Sequence, residues 1–163
     1  MKSKKLILKN AFMKYGMYVP IACVIIFTLI DIREGETHNW NSYLLENLLE
    51  IGLGYQMIFF GLFHIFFGDK LASFIGWEKG SPFQYEVGLA DLAMGVLGIM
   101  CGYYTEQFWL AAITMSSIFL WGCVIGHLRD MVKNKNFNPG SAGFIFWWGL
   151  LMPIAMIALY VMY

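Results

Sequence analysis

Apolar residues in this chain come in long uninterrupted blocks, not in the alternation of a half-buried strand or the one-sided stripe of a surface helix. Five blocks run approximately over 11–32, 44–67, 82–104, 108–128 and 141–163. Each approaches the roughly 20 residues that an α-helix, rising 1.5 Å per residue, needs to cross about 30 Å of hydrocarbon. The pattern predicts an all-α, polytopic integral membrane bundle: a single domain over residues 1–163 with five transmembrane helices.

The segments between the blocks carry helix punctuation. Ser81-Pro82-Phe83-Gln84 reads as a helix start, with Ser81 as N-cap, Pro82 at the first helical position and Gln84 closing a capping box. Asn138-Pro139-Gly140-Ser141 reads as the end of a loop and the cap of the fifth span. Residues 69–80 mix Leu71, Phe74, Ile75 and Trp77 with charges, the composition of a short helix lying in the interface. Trp40, Tyr43, Trp77 and Trp109 fall near block ends, where amphipathic rings anchor a helix to the membrane surface. Gly98-x-x-x-Gly102 and Gly122-x-x-x-Gly126 permit close helix approach, and Gly88 and Gly95 extend the first stripe. The partner across such a stripe is either a neighbouring helix or a second copy in a homo-oligomer.

Composition supports the membrane reading. Hydrophobic residues make up 59% of the 163 and charged residues 13%, about half the charged share of a soluble domain. That balance excludes disordered, nucleic-acid-binding and disulfide-stapled classes. Net charge is zero, so the placement of charge carries the information. Lys2, Lys4, Lys5, Lys9, Lys14, Lys70, Lys79, Arg129, Lys133 and Lys135 flank one side of the blocks, and only Arg33 lies on the other. Cytoplasmic loops collect Lys and Arg, so the amino terminus is expected in the cytoplasm, the carboxyl terminus outside, and the chain in the cell's inner membrane. The first block lacks a small-x-small cleavage site between Thr28 and Glu34, which argues for a permanent helix over a signal peptide. Cys23, Cys101 and Cys123 sit inside apolar runs and read as small hydrophobes.

The candidate chemistry lies in ionisable residues within or at the ends of the blocks: Glu46, Glu50, His64, Glu86, Asp91 and His127. A charge at mid-bilayer costs about 2.5–3.5 kcal/mol even on insertion scales, so these groups need inward-facing partners. At about 100° per residue, Glu46, Glu50 and His64 share one face of the second helix. Glu86 and Asp91 diverge by about 140°, which places the third helix centrally. His64, Glu86 and His127 come to similar depth near the cytoplasmic leaflet, with Asp91 deeper. Two imidazoles and carboxylates match the ligands of a divalent transition metal, giving a candidate metal set of His64, Glu86, His127 and Asp91. A second reading uses Glu50 and Asp91 in a proton or ion path of a proton-coupled transporter. A third places a flat cofactor, non-covalent haem or a quinone, between His64 and His127. A fourth is an accessory membrane subunit whose polar residues only fix helix packing. No catalytic residue is assigned.

Phe63-His64, Ile75-Gly76-Trp77, Ser81-Pro82-Phe83-Gln84-x-Glu86-x-Gly88-x-Ala90, Gly126-His127 and Asn136-x-x-Pro139-Gly140 together resemble a family of short, uncharacterised prokaryotic polytopic membrane proteins. The resemblance runs from about Gln56 to Gly143. It implies a helical inner-membrane protein and brings no activity with it.

Overall fold

A computed structural model describes residues 18–35 and 39–163. Among these residues every regular element is helical. We number them α1 (Val19–Glu34), α2 (Trp40–Ile75), α3 (Phe83–Met100), α4 (Gln107–Asn134) and α5 (Pro139–Met162). Three of the five, α2, α4 and α5, are long and apolar enough to cross a membrane. The described part of α1 is 16 residues long, and α3 has 18 residues that include Gln84, Glu86 and Asp91.

Helix α2 departs from the simple reading twice. Leu48–Tyr55 is a π-helix, whose wider i→i+5 spiral turns less per residue than an α-helix, by roughly 20°. Between Glu50 and His64 the accumulated lag is about 90°, so these two residues no longer share the face that α-helical counting gives them. Farther on, Phe67 leaves helical geometry (φ −132°, ψ 26°) and bends the helix, which continues to Ile75. The separate interfacial helix expected over 69–80 is therefore the bent end of α2. Gly76 terminates it at φ 89°, a left-handed conformation that glycine adopts without strain.

Helices α2 and α3 pack along a seam of glycines. A β-carbon at Gly98 would stand 2.5 Å from the Gly54 nitrogen, and one at Gly61 would stand 2.7 Å from the Gly88 carbonyl oxygen. Side chains at these positions would force the backbones apart, and their absence lets the two helices touch. The α3 stripe of Gly88, Gly95 and Gly98 is thus used inside the chain, against α2. Helix α4 packs chiefly on α5 and only sparsely on α3. The apolar core fills the end of the bundle away from the 76–82 and 135–139 loops, around Leu45, Leu49, Leu53, Met94, Ile113 and Met156. Trp109 belongs to this core: it is buried, and its indole N–H donates to the Cys101 carbonyl at 2.8 Å. Its expected role as an interfacial anchor is corrected accordingly. Outward faces carry exposed Ile25, Ile26, Leu29, Phe66, Ile118, Ile125 and Val161, far more apolar surface than a soluble monomer shows.

Candidate functional site

Where α3 and α4 draw apart, a cavity of about 510 Å³ lies between the α2–α3 pair and the α4–α5 pair. It sits toward the end of the bundle that holds the 76–82 and 135–139 loops. Its walls are mostly apolar, from Met57 and Phe60 on α2 to Leu120 on α4 and Trp148 on α5. Exposed Phe83, Ile118, Gly122, Cys123 and Gly126 form its rim. The two glycines matter here: among the described residues, a β-carbon at Gly122 or Gly126 would meet nothing within 4 Å, so the α4 side of the opening is bare of them.

Polar side chains enter this apolar space at two places. From α2, His64 presents its ring to α3: Nδ1 lies 2.8 Å from Gln84 Oε1, and Nε2 lies 3.8 Å from Asp91 Oδ2. An amide oxygen accepts only, so Nδ1 carries the proton and Nε2 turns its lone pair toward Asp91. Gln84 and Asp91 are buried, and Gly88, one turn after Gln84, allows His64 to come this close to α3: its β-carbon would stand 3.1 Å from that of His64. On the other side, α4 supplies His127, which is buried and within 3.2 Å of Ser141 Oγ through Nδ1. The Trp77 indole lies nearly parallel to the His127 ring, with centroids 5.1 Å apart and planes at 13°.

Trp77 is fixed in turn by polar groups beyond the cavity. Its Nε1–H donates to Asp130 Oδ2 at 3.0 Å, and the Asp130 carboxylate also accepts from Asn134 and Asn136, both at 2.6 Å. Asn136 donates as well to the Ile75 carbonyl at 2.9 Å, which ties the α4–α5 loop to the end of α2. Helix α4 has 28 residues, roughly 12 Å more than about 30 Å of hydrocarbon requires. Arg129, Asp130 and Lys133 lie in its last turns. The hydrogen bonds from Asn134 and then Asn136 hold the Asp130 carboxyl below its usual range.

Of the residues singled out from sequence, the structure joins His64 with Asp91 and places His127 on the same cavity. Glu86 is exposed on α3 and does not line it. The metal set of His64, Glu86, His127 and Asp91 is therefore not assembled. Among the described residues, no three His, Cys, Asp or Glu side chains gather into a group able to hold a metal ion. Glu50, paired with Asp91 in the proton-path reading, lines a different cavity of about 630 Å³ with Val19 and Cys23 of α1. The π-helical lag turns it there. Sequence reasoning missed Gln84, Trp77 and Ser141 as site residues. The first and last were taken for helix caps, and Trp77 for an interfacial anchor. Pro82, not Ser81, is the N-cap of α3; the Ser81 Oγ accepts from the Phe83 N–H at 3.3 Å, and the Gln84 side chain turns to His64 instead of closing a capping box.

A protein-family model described as a family of unknown function (DUF6790) matches residues 12–163. No curated protein and no solved structure matches the chain.

Proposed function

The chain belongs to that family of unknown function, DUF6790, and we propose that it is a five-span inner-membrane protein that takes a small, largely apolar molecule from the bilayer into the α3–α4 cavity. The observation that supports this most is the wall chemistry. A space of about 510 Å³ is within the range of small-molecule sites, which pair apolar walls with a few placed polar groups. Here those groups are the His64–Asp91 pair and His127, while the bare glycine edge faces outward among exposed apolar side chains. The distribution of basic residues supports a cytoplasmic amino terminus, which puts the polar groups toward the inner leaflet.

Mass spectrometry of the protein purified in mild detergent tests the reading. Wild type is expected to carry a discrete apolar molecule at near-equal stoichiometry. Gly122→Phe, which adds a ring at the rim where a β-carbon meets no described residue within 4 Å, is expected to lose it. Bulk phospholipid alone, in equal amount on both proteins, would overturn the proposal.

A further inference from the structure

We infer that the molecule held in the cavity is a flat ring with hydrogen-bonding oxygens at opposite edges, of the quinone class, its hydrocarbon tail leaving between α3 and α4 past Gly122 and Gly126. This rests on the proposed reading of the cavity as a site open to the bilayer, and it concerns the chemistry of the occupant.

The two polar stations stand on separate walls and offer complementary atoms. His127 has Nδ1 occupied by Ser141, which leaves Nε2 as the ring nitrogen available to a ligand. When the Ser141 hydroxyl donates to Nδ1, Nε2 carries the hydrogen and donates to a carbonyl oxygen. His64 Nε2 and Asp91 Oδ2 lie 3.8 Å apart, so that station can donate to a carbonyl when either atom is protonated, or accept from a hydroxyl when neither is. A ring whose edge oxygens alternate between C=O and O–H suits this pair. Aromatic side chains complete the slot: Trp77, lying on His127, together with Phe60, Phe83 and Trp148, offers flat surfaces to a flat ring.

Other membrane-dissolved classes satisfy less of the site. A phospholipid or fatty acid brings an anion, yet among the described residues no lysine or arginine lines the cavity, and Asp91 is the acid already there. A lipid alcohol has one polar end and leaves the second station unpaired, a cost of about 1–3 kcal/mol for a buried polar group. Haem held between the two imidazoles needs a ring nitrogen of each aimed at the iron, whereas His64 Nε2 is turned onto Asp91. A tail needs an exit, and the two glycines give one without displacing any side chain.

Titrations of the detergent-purified full chain, read by native mass spectrometry and by quenching of tryptophan fluorescence, test the inference. The probes are a decyl-substituted benzoquinone, the same quinone without the decyl chain, and decylbenzene. The decylquinone is expected to bind at least about tenfold tighter than decylbenzene, the effect of one satisfied buried hydrogen bond or more. His127→Phe is expected to remove that margin, and His127→Gln, which keeps an N–H donor, to retain most of it. Gly126→Leu is expected to weaken the decylquinone while leaving the chain-free quinone unchanged, which also shows that the variant keeps its fold. Equal binding of decylquinone and decylbenzene overturns the quinone assignment and leaves the apolar cavity reading standing. Binding of neither probe, with no molecule retained on purification, removes both.

Discussion

Helix α3 faces glycines on two sides, with opposite results. Toward α2, Gly54 and Gly61 meet Gly98 and Gly88, and the backbones touch. Toward α4, Gly122 and Gly126 meet none of the described residues within 4 Å, and a cavity opens beside them. The sequence spacing is the same kind of small-residue repeat in both places. What differs is whether the opposing helix also lacks side chains at the matching height. Where both do, the helices close; where only one does, the missing side chain becomes volume, and here that volume holds two imidazoles.

Substitutions sharpen the contrast, and the largest effect belongs to the seam. Gly98→Leu puts a branched side chain where a β-carbon alone would stand 2.5 Å from backbone. The atoms it meets belong to a helix and cannot rotate away. Overpacking commonly costs about 1–3 kcal/mol when side chains yield, and here the cost is expected to exceed that range or to abolish folding. Gly122→Ala, in open space, is expected to be neutral or to stabilise by up to about 1 kcal/mol, since alanine loses less backbone entropy in a helix. Thermal unfolding of both variants in the same detergent checks the comparison. A Gly122→Ala variant as unstable as Gly98→Leu would show that α4 closes on α3 in solution.

A smaller effect is expected at the His64 station. Gln84→Leu keeps volume and apolar contact but leaves His64 Nδ1–H without its acceptor. An unpaired buried donor costs about 1–3 kcal/mol, and the ring loses the contact that fixes its tautomer and aims Nε2 at Asp91. Gln84→Glu restores an acceptor and is expected to recover ring orientation. Imidazole nitrogen resonances of labelled protein report this directly. Unchanged His64 resonances in Gln84→Leu would mean that Asp91 alone orients the ring.

The helices were legible in the sequence because an apolar block of about 20 residues has few alternatives to a helix, and block length survives any error in rotation. Rotation was the weak link. The π-helix at Leu48–Tyr55 leaves the apolar run intact and changes only the turn per residue, so Glu50 and His64 appeared to share a face when they line separate cavities. Glu86 failed for a related reason. Depth placed it beside the histidines, and a residue in the first turn of α3 has no second-turn neighbour before it to reveal its facing. Gln84, Trp77 and Ser141 carried signals, but each signal had a local explanation, a cap or an anchor. Their real partners are distant in the chain: Gln84 and His64 are 20 residues apart, and Ser141 and His127 are 14. The motif residues Phe63-His64, Ile75-Gly76-Trp77, Ser81-Pro82-Phe83-Gln84 and Gly126-His127 converge on one end of the bundle, which their separation in the chain did not disclose.

The smallest effect belongs to the loop that holds Trp77 over His127. Asp130 is partly exposed, so its hydrogen bonds compete with water, and Asp130→Asn is expected to cost less than about 1 kcal/mol. The sign of its pH dependence is nevertheless definite. Hydrogen bonds from Asn134, Asn136 and Trp77 lower the carboxyl's folded value, so its stabilising contribution is fully present above the unfolded value of about 3.9. That contribution is lost as pH falls through the lower folded value. The difference in unfolding midpoint between wild type and Asp130→Asn is therefore expected to shrink as pH falls below about 4. Taking the difference cancels the titration of groups that do not interact with Asp130. A gap that persists unchanged to pH 2 would show that the carboxylate's charge contributes nothing to the loop, the neutral carboxyl accepting from Trp77 equally well.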